Sequence, residues 1–476
     1  MATIEELTNF CKRKGFIYPS GEIYGGLAGF WDYGHLGSEL KNNIKAQWWK
    51  HHVHKREDIV GIDGAIITNP KVWEASGHVE NFTDIAVICT KCKHKFKVDK
   101  QELEKAKCEK CNSKIESKGT FNPMFTTQVG PIQDDSTLAY LRPETAQLIF
   151  TNFKLVQENA RLKLPFGIAQ IGKAFRNEIA PRNFIFRVRE LEQMEIEYFI
   201  DPTKKSECPY EIEDIEIKIL SNKMKEPKKM KISQALKNNI IKLKWHAYWL
   251  SSSLNWFKSL GANIENFRIR QHLKEEKSHY STDTWDLEYN FPFGWKELQG
   301  IADRGTYDLE QHEKHSKKDL KIMDEQLDKK ILPMVVAEPS FGVERALLVF
   351  MNEAHTIDKK GNTILKLSPK LAPVKVSILP LIKKDKNLIK TAREIFKNLQ
   401  EEWNVTYDES GSIGRRYARN DEIGTPYAIT IDFDSLTNSD ATIRNRDDGK
   451  QKRIPIKNIR DTIRKLINQE IEFENI

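Results

Sequence analysis

Residues 167–199 read GIAQIGKAFRNEIAPRNFIFRVRELEQMEIEYF. Two strand-like stretches, 167–178 and 186–199, flank a charged link broken by Pro181, and this pattern predicts an antiparallel hairpin with a long loop. Alternate residues of a strand share a face. Arg176 and Glu178 are therefore expected on one face of the first strand, and Leu191, Gln193 and Glu195 on one face of the second. Arginine offers a planar fork to phosphate or carboxylate oxygens, and a carboxylate accepts hydrogen bonds from an amine. A nucleotide would suit such a face. On pattern alone, a surface of cross-strand ion pairs is the commoner reading.

The rest of the chain narrows the choice. Its 476 residues exceed one core, so two or three domains are expected. A composition of 39% hydrophobic and 30% charged residues excludes a disordered chain. No apolar run is long enough to span a bilayer. Residues 1–12 carry Glu5 and Glu6 and no apolar stretch, so neither a secretory signal nor a transit peptide is expected, and the location is read as cytoplasmic. The net charge of +8 is compatible with a polyanionic partner, and equally with a lysine-rich composition.

Outward from the hairpin, Leu40, Ile44 and Trp48 recur every four residues and predict a helix over 38–55, followed by one strand over 60–70. Residues 218–245 hold nine lysines against one acid, Glu226, which reads first as a solvated surface and second as an RNA-backbone contact. Trp245, Trp249 and Trp256 lie on one side of the next helix and read as core. After Ser368-Pro369 and Pro373, a strand at 374–379, a helix at 386–403 and a strand at 427–432 indicate an α/β domain. The expected organisation is residues 1–370, with insertions at 86–117 and 203–285, followed by 371–476.

Cys89-x-x-Cys92 is followed after fifteen residues by Cys108-x-x-Cys111, the spacing of a zinc ribbon. Four thiolates close a tetrahedral site, so this Zn2+ is expected to be structural, with the chemistry elsewhere.

Phe175-Arg-Asn-Glu178 with Arg187–Glu195 resembles motif 2 of the class II aminoacyl-tRNA synthetases, and Pro339-Ser-Phe-Gly-Val-Glu-Arg345 resembles motif 3. Residues 38–70 are placed like motif 1, the dimer interface of that family. Further stretches resemble its homodimeric, glycine-specific branch. They are Tyr24–Leu27 with Trp31–Gly34, Trp73–His78, Leu141–Gln147, Gly294–Leu298, and Gly300–Arg304 with Tyr307–Leu309. They run in family order along nearly the whole chain, which chance matches to short motifs do not.

The resemblance implies an α+β fold. A class II antiparallel-sheet catalytic domain would carry a zinc-ribbon insertion and precede an α/β anticodon-binding domain. It implies glycine, ATP with Mg2+, and tRNA(Gly) as substrates and partners, a homodimer, no membrane association, and a glycyl-adenylate intermediate with release of AMP and pyrophosphate. The task is alignment and charge stabilisation, with no protein nucleophile. By the same resemblance, Arg176, Arg345 and Glu297 are catalytic. Arg176 would hold the α-phosphate and the glycine carboxylate, Glu178 would meet the adenine amino group, and Arg345 would stack on the adenine. Asn177, Phe186, Arg187, Val188, Arg189, Glu190 and Leu191 would line the nucleotide, with Glu297, Leu298, Gly342, Val343 and Glu344. Glu297 would help hold Mg2+. Leu191 stands where the family usually has Phe, and Phe184 or Phe186 is the candidate replacement.

Glycine would be met by Lys97, Glu144, Arg304 and the runs Leu191-Glu192-Gln193-Met194-Glu195 and Glu338-Pro339-Ser340-Phe341-Gly342. Glu144, Glu195 and Glu338 would bind its ammonium and leave no room for a methyl group, so no editing domain is needed. In the C-terminal domain, 19 basic and 17 acidic side chains give little net charge. The stretch 451–465, with Arg415 and Arg416, is the expected RNA contact. Two rivals stay open: a prolyl or threonyl enzyme of the same class, and a non-catalytic paralogue. The presence of both Arg176 and Arg345 argues against the second.

Overall fold

Strands Phe166–Phe175 and Glu190–Ile200 pair antiparallel, with Phe166 opposite Phe199 and Phe175 opposite Glu190. The structure, a computed structural model, describes residues 2–98, 103, 106–132, 134–276, 281–324 and 328–476. Parts of both expected insertions, 99–102, 104–105 and 277–280, lie outside them. The hairpin forms as expected, but its ladder is shorter. Arg176, Asn177 and Glu178 fall in the loop, and the second strand starts at Glu190 rather than Phe186. Pro181 has no N–H to donate, and Asn183 and Phe184 take φ of 59° and 58°, so the link cannot continue a ladder. Strand alternation therefore does not place Arg176 and Glu178.

The hairpin sits within a nine-stranded sheet. From one edge the strands are Lys228–Lys231, Glu216–Leu220, Phe267–Gln271, Asp283–Phe291, Gly294–Asp303, Met334–Gly342, Glu190–Ile200, Phe166–Phe175 and Ile59–Ile62. All pairs are antiparallel except Ile59–Ile62 with Phe166–Phe175 and Glu216–Leu220 with Phe267–Gln271. The lysine-rich stretch thus supplies an edge of the sheet. Ile217 and Ile219 point to the core, while lysines face out along an edge they protect from further pairing.

Behind the sheet, helix Lys244–Ser259 buries all three tryptophans as read from the sequence. Trp249 packs on Tyr198, and Trp256 on Phe341 and Phe350. Met194, Ile196 and Tyr198 of the second hairpin strand point to this side. Gln193, Glu195 and Glu197 therefore point to the other.

The expected strand over 60–70 is two short ones in different sheets, Ile59–Ile62 and Ile67–Thr68. Asp63 and Gly64 break it, and Asn69 caps a helix that begins at Pro70. Helix His35–Trp49 precedes them and continues as a wider turn over Lys50–His54. Strands Asp84–Cys89, Lys95–Val98 and Ile115–Phe121 make a separate three-stranded sheet around the cysteines.

The C-terminal sheet holds Val405–Tyr407, Val376–Pro380, Tyr427–Ile431, Asp440–Asn445 and Gln451–Pro455 in that order. Helices Lys386–Gln400 and Ile459–Asn468 bury Leu388, Ala392, Leu399, Ile463 and Leu466 in its core. Arg416, expected to reach RNA, is 2% exposed and donates to the carbonyls of Pro380, Leu381 and Asp408. It ties the end of one strand to a loop. The basic stretch 451–465 is largely neutralised. Arg453 pairs with Asp432 and Asp440, and Arg460 and Arg464 pair with Glu402.

Candidate active site

The loop Leu141–Thr145 is clamped before it delivers anything. Arg142 is 1% exposed and donates to the carbonyls of Lys173 and Gly64, at 2.6 and 2.7 Å. Residue 172 must be glycine for this, since a Cβ there would lie 2.2 Å from the Arg142 guanidinium. So fixed, the loop offers the Pro143 carbonyl to Arg176 Nε at 2.8 Å and the Thr145 hydroxyl to Glu195. The Arg176 backbone N–H donates to Arg189 O, and that of Asn177 to Pro123 O. The η nitrogens of Arg176 make no hydrogen bond or ion pair among the described residues. A fork held by its stem, with its tines free, points into the cleft.

That cleft has a volume of about 550 Å³. A larger hollow of about 750 Å³ lies between residues 161–165 and 322–324 and contains none of the residues expected at the site. At one end of the cleft stand Arg176, Glu178, Phe186, Arg187, Val188, Leu191, Glu297, Gly342, Glu344 and Arg345. Glu178 accepts from Arg187 at 2.8 Å. Arg345 lies 4.6 Å over the Phe186 ring, and its Nη1 is 3.3 Å from Glu297. Phe184 packs away from the cleft on Trp31, so of the two candidate replacements only Phe186 lies beside Leu191 in the cleft.

At the other end stand Glu144, Glu195, Glu338, Gln193, Ser340, Phe341 and Lys97. Burial pushes Glu144 upward, but His78 at 3.3 Å, with Arg304 and Arg176, outweighs it and holds the carboxyl below its ordinary range. Glu195 moves the other way. Burial and the Glu144 charge raise it against the hydrogen bonds of Ser340 and Thr145. Glu338 is gripped by Arg304 Nη1 at 2.7 Å.

Several expected residues stand outside the cleft wall. Leu298 is fully buried in the core, because it neighbours the outward Glu297 on a strand and must face the opposite side. Met194 faces the core for the same reason, and Glu192 pairs with Lys41 and Lys45 behind the sheet. Val343 opens the helix Val343–Ala354 inside the core, and Glu190 pairs with Lys173. Arg189 braces the loop through Glu178 O and Ala28 O. Asn177 contributes its backbone to Pro123, and Pro339 is a buried strand residue. Arg304 is 1% exposed and meets the cleft only through Glu338. Glu344 touches the cleft, but its carboxylate is held by Tyr33, Lys41 and the Glu192 N–H.

The sequence reading missed other wall residues. Asp84 pairs with Lys97 at 3.0 Å. His272 meets Asp286 at 2.7 Å, and Asp286 is pushed up to about 6 by burial, with the Glu297 and Glu288 charges in the same direction and His272 against them. Alternation along Asp283–Phe291 points Thr284 and Asp286 to the cleft. Nothing in that segment alone marks which face is the cleft. Glu297 and Asp286 are oxygen donors on adjacent strands, and Asp286 Oδ1 has no hydrogen-bond partner, which fits a hard cation.

The four cysteines also come together. Sγ of Cys89 is 3.4 Å from that of Cys111, and Sγ of Cys92 is 3.5 Å from that of Cys108. A tetrahedron with metal–sulfur bonds of about 2.3 Å has edges only slightly longer. Lys93 and Asn112, each just after a CxxC, take positive φ and turn the knuckles. The donor set fits a closed metal site.

An antiparallel sheet with arginines at one end of its cleft and three acids at the other, joined to an α/β unit, defines a class II aminoacyl-tRNA synthetase. Residues 375–466 match the family model of the anticodon binding domain. The chain is 44% identical to the glycine–tRNA ligase of Thermobifida fusca, over 95% of this chain and 96% of that one. It is 44% identical to the glycine–tRNA ligase of Geobacillus thermodenitrificans over 98% of each chain. The same enzyme of Treponema denticola is 42% identical over 95% of this chain and 94% of its own. The chain belongs to the glycine–tRNA ligase family. Among the described residues no helix is long and apolar enough to cross a membrane.

Proposed function

We propose that this chain attaches glycine to tRNA(Gly) in two steps, using ATP. The observation that carries this is the joint presence, in one cleft, of the free Arg176 fork and three acids packed too tightly for a side chain between them. The glycine ammonium sits among Glu144, Glu195 and Glu338. Its carboxylate lies under Arg176, which also takes an α-phosphate oxygen of ATP. The carboxylate attacks the α-phosphorus and pyrophosphate leaves. Arg176 offsets the charge that builds on the phosphate, without covalent participation by the protein. The terminal adenosine hydroxyl of the tRNA then attacks the glycyl carbonyl and AMP leaves. Arg345 covers the adenine, Glu178 accepts from its amino group, and Phe186 supplies the aromatic face that Leu191 lacks. Glu297 and Asp286 would hold Mg2+, which neutralises phosphate charge when bound. Exclusion by size suffices for specificity, since every competitor is larger than glycine.

Pyrophosphate exchange across all the amino acids tests this reading. Exchange should depend on glycine alone, and activation of proline or threonine without glycine would overturn it.

The cysteine site is a structural Zn2+ site. The small cluster of Val87, Phe96 and Val98 around Cys89 and Cys108 is too slight a core to hold three strands unaided. Because the strands Asp84–Cys89 and Lys95–Val98 also carry Asp84 and Lys97 to the cleft, chelation is expected to loosen the ribbon and to raise the KM for substrates severalfold. Elemental analysis finding no zinc in active protein would defeat this. The protein works as a homodimer through the region of helix His35–Trp49 and the exposed edge strand Ile59–Ile62, and in the cytoplasm, where its tRNA is. Sedimentation at micromolar concentration tests the first point.

A further inference from the structure

Glu197 follows Glu195 by two residues on the strand Glu190–Ile200, so both side chains face the same way. The carboxylate oxygens of Glu195, Glu197 and Glu338 lie within 4.8 Å of one another. Glu197 is fully buried, and neither of its oxygens has a hydrogen-bond partner. It does not line the cleft. It lies beneath the amine end and takes no part in the steps above.

We propose that Glu197 is a positioning residue of the amine pocket, a neutral carboxylic acid whose O–H is directed at the charged Glu338 and holds that carboxylate toward the glycine ammonium. The inference rests on the reading of Glu144, Glu195 and Glu338 as the ammonium site.

The charged groups around Glu197 decide which acid carries the proton. Its own strand supplies Glu195. The strand Met334–Gly342 supplies Glu338. Arg304 comes from the end of the strand Gly294–Asp303, and Asp308 and His312 from the helix Tyr307–Ser316. The loop before helix Ala146–Ala160 brings Glu144, with His78 against it. Arg304 is the buried guanidinium of this set, and it spends its printed hydrogen bonds on Glu338, at 2.7 Å, and on Asp308, at 2.8 and 2.9 Å. Glu338 is therefore the acid with a counter-ion. Glu197 has none. Burying an unpaired carboxylate costs far more than protonating it. Burial and the Glu338 charge raise Glu197 well above the ordinary carboxylate range, with Arg304 opposing them.

A protonated acid also explains why the acid count does not overwhelm the pocket. One ammonium enters a site already holding Glu144, Glu195 and Glu338. A further negative charge with no cation of its own would have to be neutralised before glycine arrived. As an O–H donor, Glu197 instead braces one face of Glu338 while Arg304 holds the other.

The test is glycine-dependent pyrophosphate exchange on the full chain, comparing wild type, Glu197→Gln and Glu197→Leu between about pH 6 and 8.5. Glutamine is neutral and still donates. Its KM for glycine should stay within about threefold of wild type, with a parallel pH profile. Leucine fills the space but cannot donate. Its KM for glycine should rise about tenfold, with kcat and the KM for ATP changing less. Infrared spectra near neutral pH should show a protonated-carboxyl band in wild type that is missing from Glu197→Gln, and this readout holds even if the leucine variant fails to fold. A tenfold loss in Glu197→Gln would mean that a negative charge is needed and would overturn the proposal. So would an unchanged KM in Glu197→Leu, or absence of the band. If the wild type shows no exchange with glycine, the fault lies in the reading of the ammonium site itself.

Discussion

Arg176→Ala is expected to cut glycine-dependent pyrophosphate exchange about a thousandfold, or ~4 kcal/mol of transition-state stabilisation, while the chain stays folded. The size follows from what the side chain does and does not touch. Its one protein hydrogen bond, Nε to the Pro143 carbonyl, fixes direction, and the η nitrogens remain available for substrate oxygens. Removal therefore strips the reaction of its charge partner without leaving a buried ion behind. The backbone pin from Arg176 N to Arg189 O survives the substitution, so the loop keeps its path. The loss should fall on kcat more than on the KM for glycine, because Glu144, Glu195 and Glu338 still bind the ammonium. Arg176→Lys should recover only part of the rate, since an ammonium cannot span two oxygens as the planar fork does. Exchange within tenfold of wild type in the alanine variant would remove Arg176 from its assigned role.

The case of Arg176 also shows what a sequence can and cannot reveal. The hairpin was legible because β-branched and aromatic residues alternate with polar ones over two runs. Its ends were not, because the backbone turns by the positive φ of Asn183 and Phe184, and Arg176 is aimed by contacts from residues thirty positions earlier. Periodicity within the strand Glu190–Ile200 correctly grouped Leu191, Gln193 and Glu195. The same rule, applied to Glu297 and Leu298, separates them, as it does Met194 from its neighbours. Carrying whole motif runs over as binding residues ignored that alternation. Charge was the least legible property. Arg416 reads as an exposed cation and is a buried strut, and the basic stretch 451–465 is matched by acids from three other segments. His272 and Asp286 were invisible because the cleft face of their strands is defined only by the hairpin across the sheet. The cysteines were legible in full, since their spacing and the knuckle geometry are both local.

Arg304→Met should destabilise the part of the chain that carries the cleft by about 3–5 kcal/mol, the cost of removing one partner from a buried ionic network. The guanidinium is 1% exposed and holds Asp308 through two nitrogens and Glu338 through the third. Methionine fills much of the volume over Phe150 but leaves those carboxylates facing each other and Glu197 without a cation. Nine of the ten tryptophans precede residue 371, so intrinsic fluorescence follows this part of the chain rather than the C-terminal sheet. The effect has a definite pH sign. Burial raises Glu338 and Glu197 in the folded state, and Arg304 opposes the rise at both. A carboxyl raised on folding favours the folded state most at low pH, and that contribution is lost as pH climbs through its folded value. Deleting Arg304 raises both further, so the variant loses additional stability as pH rises. The gap between wild type and variant should thus be widest near neutral pH and narrow toward pH values of about 4 to 5, where the acids hold protons in both proteins. An equal gap at both ends of that range would mean that lost packing rather than unbalanced charge sets the cost. A destabilisation under about 1 kcal/mol would mean that the acids find other partners once Arg304 is gone.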